Sequence, residues 1–301
     1  MNDFRSGFIA IIGRPNVGKS TLVNALLGQK IAAVSPKPQT TRKRQLGILT
    51  TESAQLVFVD TPGLHSPRHK LGQFLNQEAE ESLEGVDVIL WLVDISAKPT
   101  EEDKEIASLL NRTPRRTPLV LAANKMDLVP AEALNPRIEA HQASLKKEAH
   151  VISISATQNK NLDQLLALLI SLLPFRPPEY DEEQVTDSYE RDIAADLIRE
   201  AALHHLREEV PHGVGVRVDE FNERENGMLY IAATVFVERT SQKGIVIGEG
   251  GKMLKAIGSA ARKEIEEMSG RPVFLELRVK VLKDWRNDEN ALRRLGYKIK
   301  K

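Results

Sequence analysis

Eight residues, Gly13-Arg14-Pro15-Asn16-Val17-Gly18-Lys19-Ser20, follow the spacing G-x-x-x-x-G-K-S. They lie between an apolar run, Phe8 to Ile12, and a helix-like stretch, Ser20 to Leu27. In that context the glycines let the backbone curl, so that successive N–H groups face anionic oxygens at a helix N-terminus. Gly13, Asn16, Val17, Gly18, Lys19, Ser20 and Thr21 are therefore expected around the phosphates of a nucleotide. Lys19 is expected to reach the β- and γ-phosphates, a catalytic role as well as a binding one. The Ser20 hydroxyl is expected to ligate Mg²⁺.

Three further motifs narrow the nucleotide. Asp60-Thr61-Pro62-Gly63 ends the run Gln55 to Val59, which places a carboxylate for Mg²⁺ and a glycine whose N–H can approach the γ-phosphate. Asn124-Lys125-Met126-Asp127 ends Leu119 to Ala123. Guanine presents N1–H and N2–H₂ side by side, and the Asp127 carboxylate can accept from both, whereas adenine has no such pair of donors. Asn124 is expected at N7 and as a tie between loops, and the Lys125 stem over the base plane. Ser155-Ala156, after Val151 to Ile154, would donate backbone N–H groups to guanine O6. Thr40 and Thr41 lie in an aperiodic segment of the kind that γ-phosphate orders, and one of them, with Thr41 favoured, should complete the metal set Ser20, Thr41 and Asp60. Leu64 follows Gly63, and its side chain cannot orient an attacking water, so slow intrinsic hydrolysis is expected.

The elements that must hold these residues are legible as alternating segments. Apolar β-rich runs at Phe8–Ile12, Gln55–Val59, Val86–Val93, Leu119–Ala123 and Val151–Ile154 are separated by helix-like stretches. Those stretches include Gln73–Leu83, Glu101–Leu110 and Leu162–Leu173. The pattern predicts an α/β domain with a mostly parallel sheet over residues 1–173. Three prolines among residues 174–178 stop it, and 174–186 reads as a linker.

Residues 187–301 then read α-β-β-α-α-β, a smaller α+β domain. Asp187–Glu209 is the first helix, and the strands Gly213–Phe221 and Leu229–Glu238 meet at the turn Glu225-Asn226-Gly227. Helices at Gln242–Ile247 and Lys252–Met268 flank Ile247-Gly248-Glu249-Gly250-Gly251-Lys252, and Val273–Val281 is the last strand. The G-x-x-G loop resembles the one by which KH domains clamp a four-nucleotide stretch of single-stranded nucleic acid. RNA is accordingly expected at Ile247, Gly248, Glu249, Gly250, Gly251, Lys252 and Lys255, with the side chains of Ile245, Val246 and Ile247 helping to form a base groove. Trp285 and Tyr297 are expected to pack against the sheet rather than to stack bases.

Charge supports a polyanion partner for the C-terminal third. The chain is neutral overall, yet residues 1–173, 174–238 and 239–301 sum to +2, −10 and +8. There is no cysteine among the 301 residues, which excludes disulfides, thiolate metal sites and thiol catalysis. No apolar run approaches the roughly 18 residues of a spanning helix, so a soluble, cytoplasmic protein is expected.

Together the motifs at 13–20, 39–42 (Gln-Thr-Thr-Arg), 60–65 (Asp-Thr-Pro-Gly-Leu-His), 124–127, 155–156 and 246–252 resemble the Era family of bacterial GTPases over essentially the whole chain. The resemblance implies a P-loop GTPase domain followed by a KH domain, with GTP or GDP and Mg²⁺ as ligands. It implies binding to 16S ribosomal RNA near its 3′ end and a role in small-subunit assembly. It also implies peripheral contact with the inner membrane and, for a chain of this organisation, a monomer. Asn16 is similar to an asparagine with which related GTPases bind K⁺ beside the phosphates, which makes K⁺ a further candidate cofactor. Two other readings stay open at this stage: a translation or tRNA-modification GTPase, and a signalling switch whose C-terminal domain binds protein or anionic lipid.

Overall fold

A computed structural model describes residues 3–35, 37, 40–64, 67 and 69–297. His65, Gln39 and Lys298 onward therefore lie outside the described residues. The chain forms two compact units: residues 1–32, 41–66 and 75–187, and residues 33–40, 67–74 and 188–301.

The first unit is a six-stranded sheet. In chain order its elements are β1 (Arg5–Ile12), α1 (Lys19–Leu27), β2 (Gln45–Thr50), β3 (Ala54–Asp60), α2 (Lys70–Glu81) and β4 (Val88–Asp94). They continue with α3 (Glu101–Leu110), β5 (Leu119–Asn124), α4 (Ala131–Gln142), β6 (His150–Ser153) and α5 (Leu162–Leu172). Strand order is β2-β3-β1-β4-β5-β6, with β2 antiparallel and the others parallel. Alternation along the buried strands separates two cores. Ile9, Ile11, Phe58 and Leu90 pack with Leu22 of α1 and Leu165 of α5. Ala10, Ile12, Ile89 and Trp91 pack with Ile106 of α3 and Ile138 of α4. This double coverage is why the strands read as continuous apolar runs. After β1 the chain pairs on one side with β3 and on the other with β4. That divergence opens the crevice at the carboxyl ends of the strands where such sheets bind ligands.

Residues 174–187 count with the first unit rather than hanging between the two. The prolines keep them extended, and they satisfy polar groups at the β2–β3 edge. Ile48 N donates to Val185 O at 2.7 Å, and Leu46 N to Asp187 Oδ1 at 3.1 Å. Gln55 holds the same segment, donating to Tyr180 O and accepting from the Glu179 and Tyr180 amides. An unpaired strand edge is a template for association, and this segment covers it.

The second unit contains α6 (Glu190–His205), β7 (Gly215–Glu223), β8 (Leu229–Val237), α7 (Thr240–Ile247), α8 (Lys252–Ser269), β9 (Val273–Val281) and α9 (Glu289–Arg294). The sheet runs β7-β8-β9, antiparallel then parallel. This is the expected α-β-β-α-α-β order with one added helix, α9. Ile193 and Leu197 of α6, Ile257 and Ile265 of α8 and the inward residues of the strands make one core. Trp285 is fully buried, donates its indole N–H to Gly213 O at 2.9 Å and stacks on Tyr297. Both aromatics serve packing, as the sequence suggested.

Candidate nucleotide site and nucleic-acid interface

Gly18 stands at the N-cap of α1 with φ 102°, a conformation open to glycine, and a Cβ there would lie 2.5 Å from Asn124 Nδ2. The loop 13–18 thus turns its chain over Asn124, with Thr21 in the first turn of α1 behind it. Lys19 is buried, and its Nζ donates to Gly13 O at 3.0 Å and Arg14 O at 3.1 Å. Burial pulls its ammonium down to about 8, against the raising influence of Asp60 and with a smaller lowering from Arg14. A phosphate beside it reverses that trend by supplying the countercharge.

Ser20, Thr41 and Asp60 come together although they are separated by 21 and 19 residues in the chain. Ser20 Oγ lies 2.7 Å from Thr41 Oγ1 and donates to Asp60 Oδ2 at 2.9 Å, and Thr41 Oγ1 reaches the same oxygen at 3.3 Å. Thr40 instead donates to Lys37 O, so Thr41 is the threonine at this cluster. Burial raises the pKa of Asp60, even though Lys19 and the hydroxyls of Ser20 and Thr41 oppose it. Its Oδ1 is buried without a partner among the described residues. An all-oxygen set with an orphaned carboxylate oxygen fits a hard cation. No group of three His, Cys, Asp or Glu among the described residues could hold a metal alone. The set therefore suits Mg²⁺ carried with phosphates, not a dedicated protein cage.

Gly63 comes so close to the phosphate loop that an added Cβ would lie 2.7 Å from Pro15 N. Thr61 anchors the same segment by donating to Ile11 O at 2.7 Å. Leu64 is buried in the core beside Ile12, Ile89 and Trp91, so its side chain does not face the phosphates.

At the base end, Asn124 acts as a tie. Its Nδ2 donates to Val17 O at 2.8 Å, and its Oδ1 accepts from Ala156 N at 3.0 Å. Ser155 N donates to Lys160 O. The two amides expected at guanine O6 are thus engaged within the protein here, because the β6–α5 loop closes on itself through the Ser155–Lys160 bridge. The Asn124 side chain is engaged at both ends, and its NH₂ keeps a second N–H donor. Asp127 Oδ1, by contrast, is buried with no hydrogen-bond partner among the described residues.

Sequence reading missed Asp94, at the end of β4. Its Oδ2 lies 2.6 Å from Lys125 Nζ and 3.5 Å from Arg14 Nη2, and Lys125 Nζ also donates to Asn16 O at 3.0 Å. Burial alone would raise its pKa, but hydrogen bonds from Lys125 and Ser96 outweigh this and hold it below the usual carboxylate range. Asp94 thereby fixes the lysine of the base motif against the phosphate loop. Asp94→Asn is expected to speed GDP dissociation about tenfold, the weight of one charge-assisted hydrogen bond, without changing the thermal midpoint by more than a few degrees. Stopped-flow release of a fluorescent GDP measures it, and an unchanged rate would remove Asp94 from the site.

In the second unit, Gly248, Gly250 and Gly251 all have positive φ, and the loop passes directly into α8. Glu249, Lys252 and Lys255 are exposed. Beside the loop a recess of about 430 Å³ runs between α8 and β9, lined by Gly251, Lys255, Gly258, Arg262, Phe274 and Leu277 among others. Ile245, Val246 and Ile247 of α7 lie outside the lining of this recess. Val246 is in the core, Ile247 packs against it and Ile245 points to solvent, because a helix presents three consecutive residues in three directions. Gly258 and Arg262 were missed, yet Gly251, Lys255, Gly258 and Arg262 recur at the three- and four-residue spacing of one helix face.

Comparison with known proteins agrees with both domains. Residues 8–125 match the family described as 50S ribosome-binding GTPase, and residues 209–286 match the KH domain family. The chain is a P-loop GTPase joined to a KH domain. Its similarity to GTPase Era of Ruminiclostridium cellulolyticum is 46% identity, covering 99% of each chain. With GTPase Era of Staphylococcus epidermidis it is 44%, covering 99% of this chain and 98% of the relative. The crystal structure of Era in complex with MgGDPNP and nucleotides 1506–1542 of 16S ribosomal RNA superposes with TM-score 0.92 at 39% identity, over 98% of this chain and 100% of that one. A single-substitution variant of Aquifex aeolicus Era bound to GDP·AlF4⁻ gives 0.91 at the same identity and coverage. The chain belongs to the Era family of GTPases.

Proposed function

We propose that the chain binds GTP or GDP with Mg²⁺ at Gly13–Thr21, Asp60, Gly63 and Asn124–Asp127, and binds the 3′ region of small-subunit ribosomal RNA through its KH domain. Hydrolysis of GTP acts as a slow switch on that RNA contact during small-subunit assembly. The observation that carries the nucleotide half is the convergence of Ser20, Thr41 and Asp60 beside the buried Lys19, with Asp127 Oδ1 left without a partner. The RNA half rests on the positive-φ loop beside the α8–β9 recess and on the 16S ribosomal RNA bound by the similar Era structure.

Ser20 and Thr41 would hold Mg²⁺, Asp60 would hold it through water, and the ion would supply positive charge against the phosphates. Lys19 would pair with phosphate oxygens, and the Gly63 N–H would donate to the γ-phosphate. Residues 33–40 and 67–74, which flank Thr41 and Gly63 in the chain, count with the second unit. A change of Thr41 and Gly63 on loss of the γ-phosphate thus has a covalent route to the RNA-binding unit.

Titration of a fluorescent RNA carrying the 3′-terminal small-subunit sequence tests this. Binding at least tenfold tighter with a non-hydrolysable GTP analogue than with GDP is expected, and equal binding in the two states would remove the switch. Because Leu64 is buried, water must be oriented by something other than its side chain. Asn16 makes K⁺ the candidate, so hydrolysis is expected to run several-fold faster in KCl than in NaCl. Equal rates would sink the K⁺ site. No described helix is long and apolar enough to cross a membrane, and the inner-membrane contact that the family resemblance implies is a peripheral one.

A further inference from the structure

The loops 111–118 and 143–150 lead into β5 and β6, at the edge of the sheet opposite the strand ends that carry Asn124 and Ser155. Six residues of β5 put the two edges about 20 Å apart. Between the loops is a recess of about 550 Å³ lined by Arg115, Arg116, Lys147 and His150, with Leu119, Leu145 and the acidic Glu148 also in its wall. The two loops contain five basic residues against Glu148, while the remainder of residues 1–173 has 15 basic against 17 acidic. The positive excess of the domain is therefore concentrated here.

The recess is built by the protein's own hydrogen bonds. Asn111 joins the loops, accepting from Lys146 N at 2.8 Å and donating to Ser144 O at 3.1 Å. Lys147 Nζ donates to Thr113 Oγ1 at 2.8 Å. Among the described residues no carboxylate lies within ion-pair distance of Arg115, Arg116 or Lys147. Burial lowers the pKa of Lys147, a cost that a bound anion removes. Arginine forks in a recess suit phosphate oxygens, which they can hold in pairs. A lipid surface would call for exposed apolar side chains as well, and neither loop exposes a large one.

We propose that this recess is a second RNA-binding site, which holds the phosphodiester backbone on the GTPase domain independently of the KH loop. It extends the RNA contact to a longer or folded RNA than the KH groove spans.

The full chain with Arg115→Ser, Arg116→Ser and Lys147→Gln together tests it against two probes. One is a 12-nucleotide RNA with the 3′-terminal small-subunit sequence, and the other is the same sequence extended by its adjoining hairpin. The triple variant is expected to bind the long RNA about tenfold more weakly at 0.1 M salt, with the log–log salt slope reduced by about two, and the short RNA as wild type does. Gly248→Asp should show the reverse, losing the short RNA while retaining salt-sensitive binding of the long one. If the short RNA binds to no variant, the KH reading fails, and retained long-RNA binding that the triple variant abolishes still supports the recess. Unchanged affinity and slope for the long RNA in the triple variant overturns the proposal. So does equal loss on both probes, or a defect seen only with phosphatidylglycerol vesicles.

Discussion

Asp127→Asn is expected to weaken GDP binding by roughly a thousandfold and to let xanthine nucleotides bind in its place. Asp127 Oδ1 is buried and has no hydrogen-bond partner among the described residues, so its acceptor capacity is unspent. Guanine brings N1–H and N2–H₂ to that carboxylate. An asparagine turns one of its oxygens into an NH₂ group, and guanine then meets donor with donor. The mismatch leaves buried polar groups unpaired on both sides, which costs far more than a loss of shape complementarity. Xanthine keeps N1–H but replaces the exocyclic amine with a carbonyl, and the asparagine amide can accept from the first and donate to the second. Competition of GDP and XDP against a fluorescent nucleotide measures both affinities. Retained GDP affinity would remove Asp127 from base recognition, and equal weakening for both nucleotides would show a general disturbance of the loop.

Residues whose role depends on local chain geometry could be read directly from the sequence. Glu101–Leu110 folds as the helix its spacing predicts, since Thr100 and Asp103 cap each other's backbone at its start. Val273–Val281 alternates along its length and is a strand over those same residues. The phosphate loop, the metal cluster and Asp127 all stand at strand ends because a parallel sheet brings its carboxyl ends together. Contacts between distant segments that no motif marks could not be read. Asp94 and Lys125 are 31 residues apart, and only the pairing of β4 with β5 brings them within 2.6 Å. Two elements left no strong local mark. β2 is a short antiparallel edge strand, and α4 has Pro136 within it and a weak apolar face. The run Ile245, Val246 and Ile247 reads as one apolar wall, whereas the helix buries Val246, half-buries Ile247 and exposes Ile245.

The second large effect concerns RNA. Gly248→Asp is expected to lower affinity for the 3′-terminal RNA about a hundredfold, while GTP hydrolysis without RNA stays within twofold of wild type. Gly248 has φ 72° and ψ 174°, a region in which a side chain costs roughly 1–3 kcal/mol. A Cβ would also lie 2.7 Å from Met253 Cβ and 2.9 Å from Met253 N, so the first turn of α8 must shift. Lys252 and Lys255 ride on that turn and would move with it. The aspartate then adds a negative charge where phosphates are expected, and repulsion compounds the displacement. Gly248→Ala separates the two causes, because it keeps the backbone strain and omits the charge. It should lose about tenfold, with a salt slope between those of wild type and the aspartate variant, which should be the shallowest. If both variants bind RNA as wild type does, the loop does not touch RNA. If both lose hydrolysis along with RNA, the damage reaches beyond the loop, and the separation of the two activities between two units is wrong.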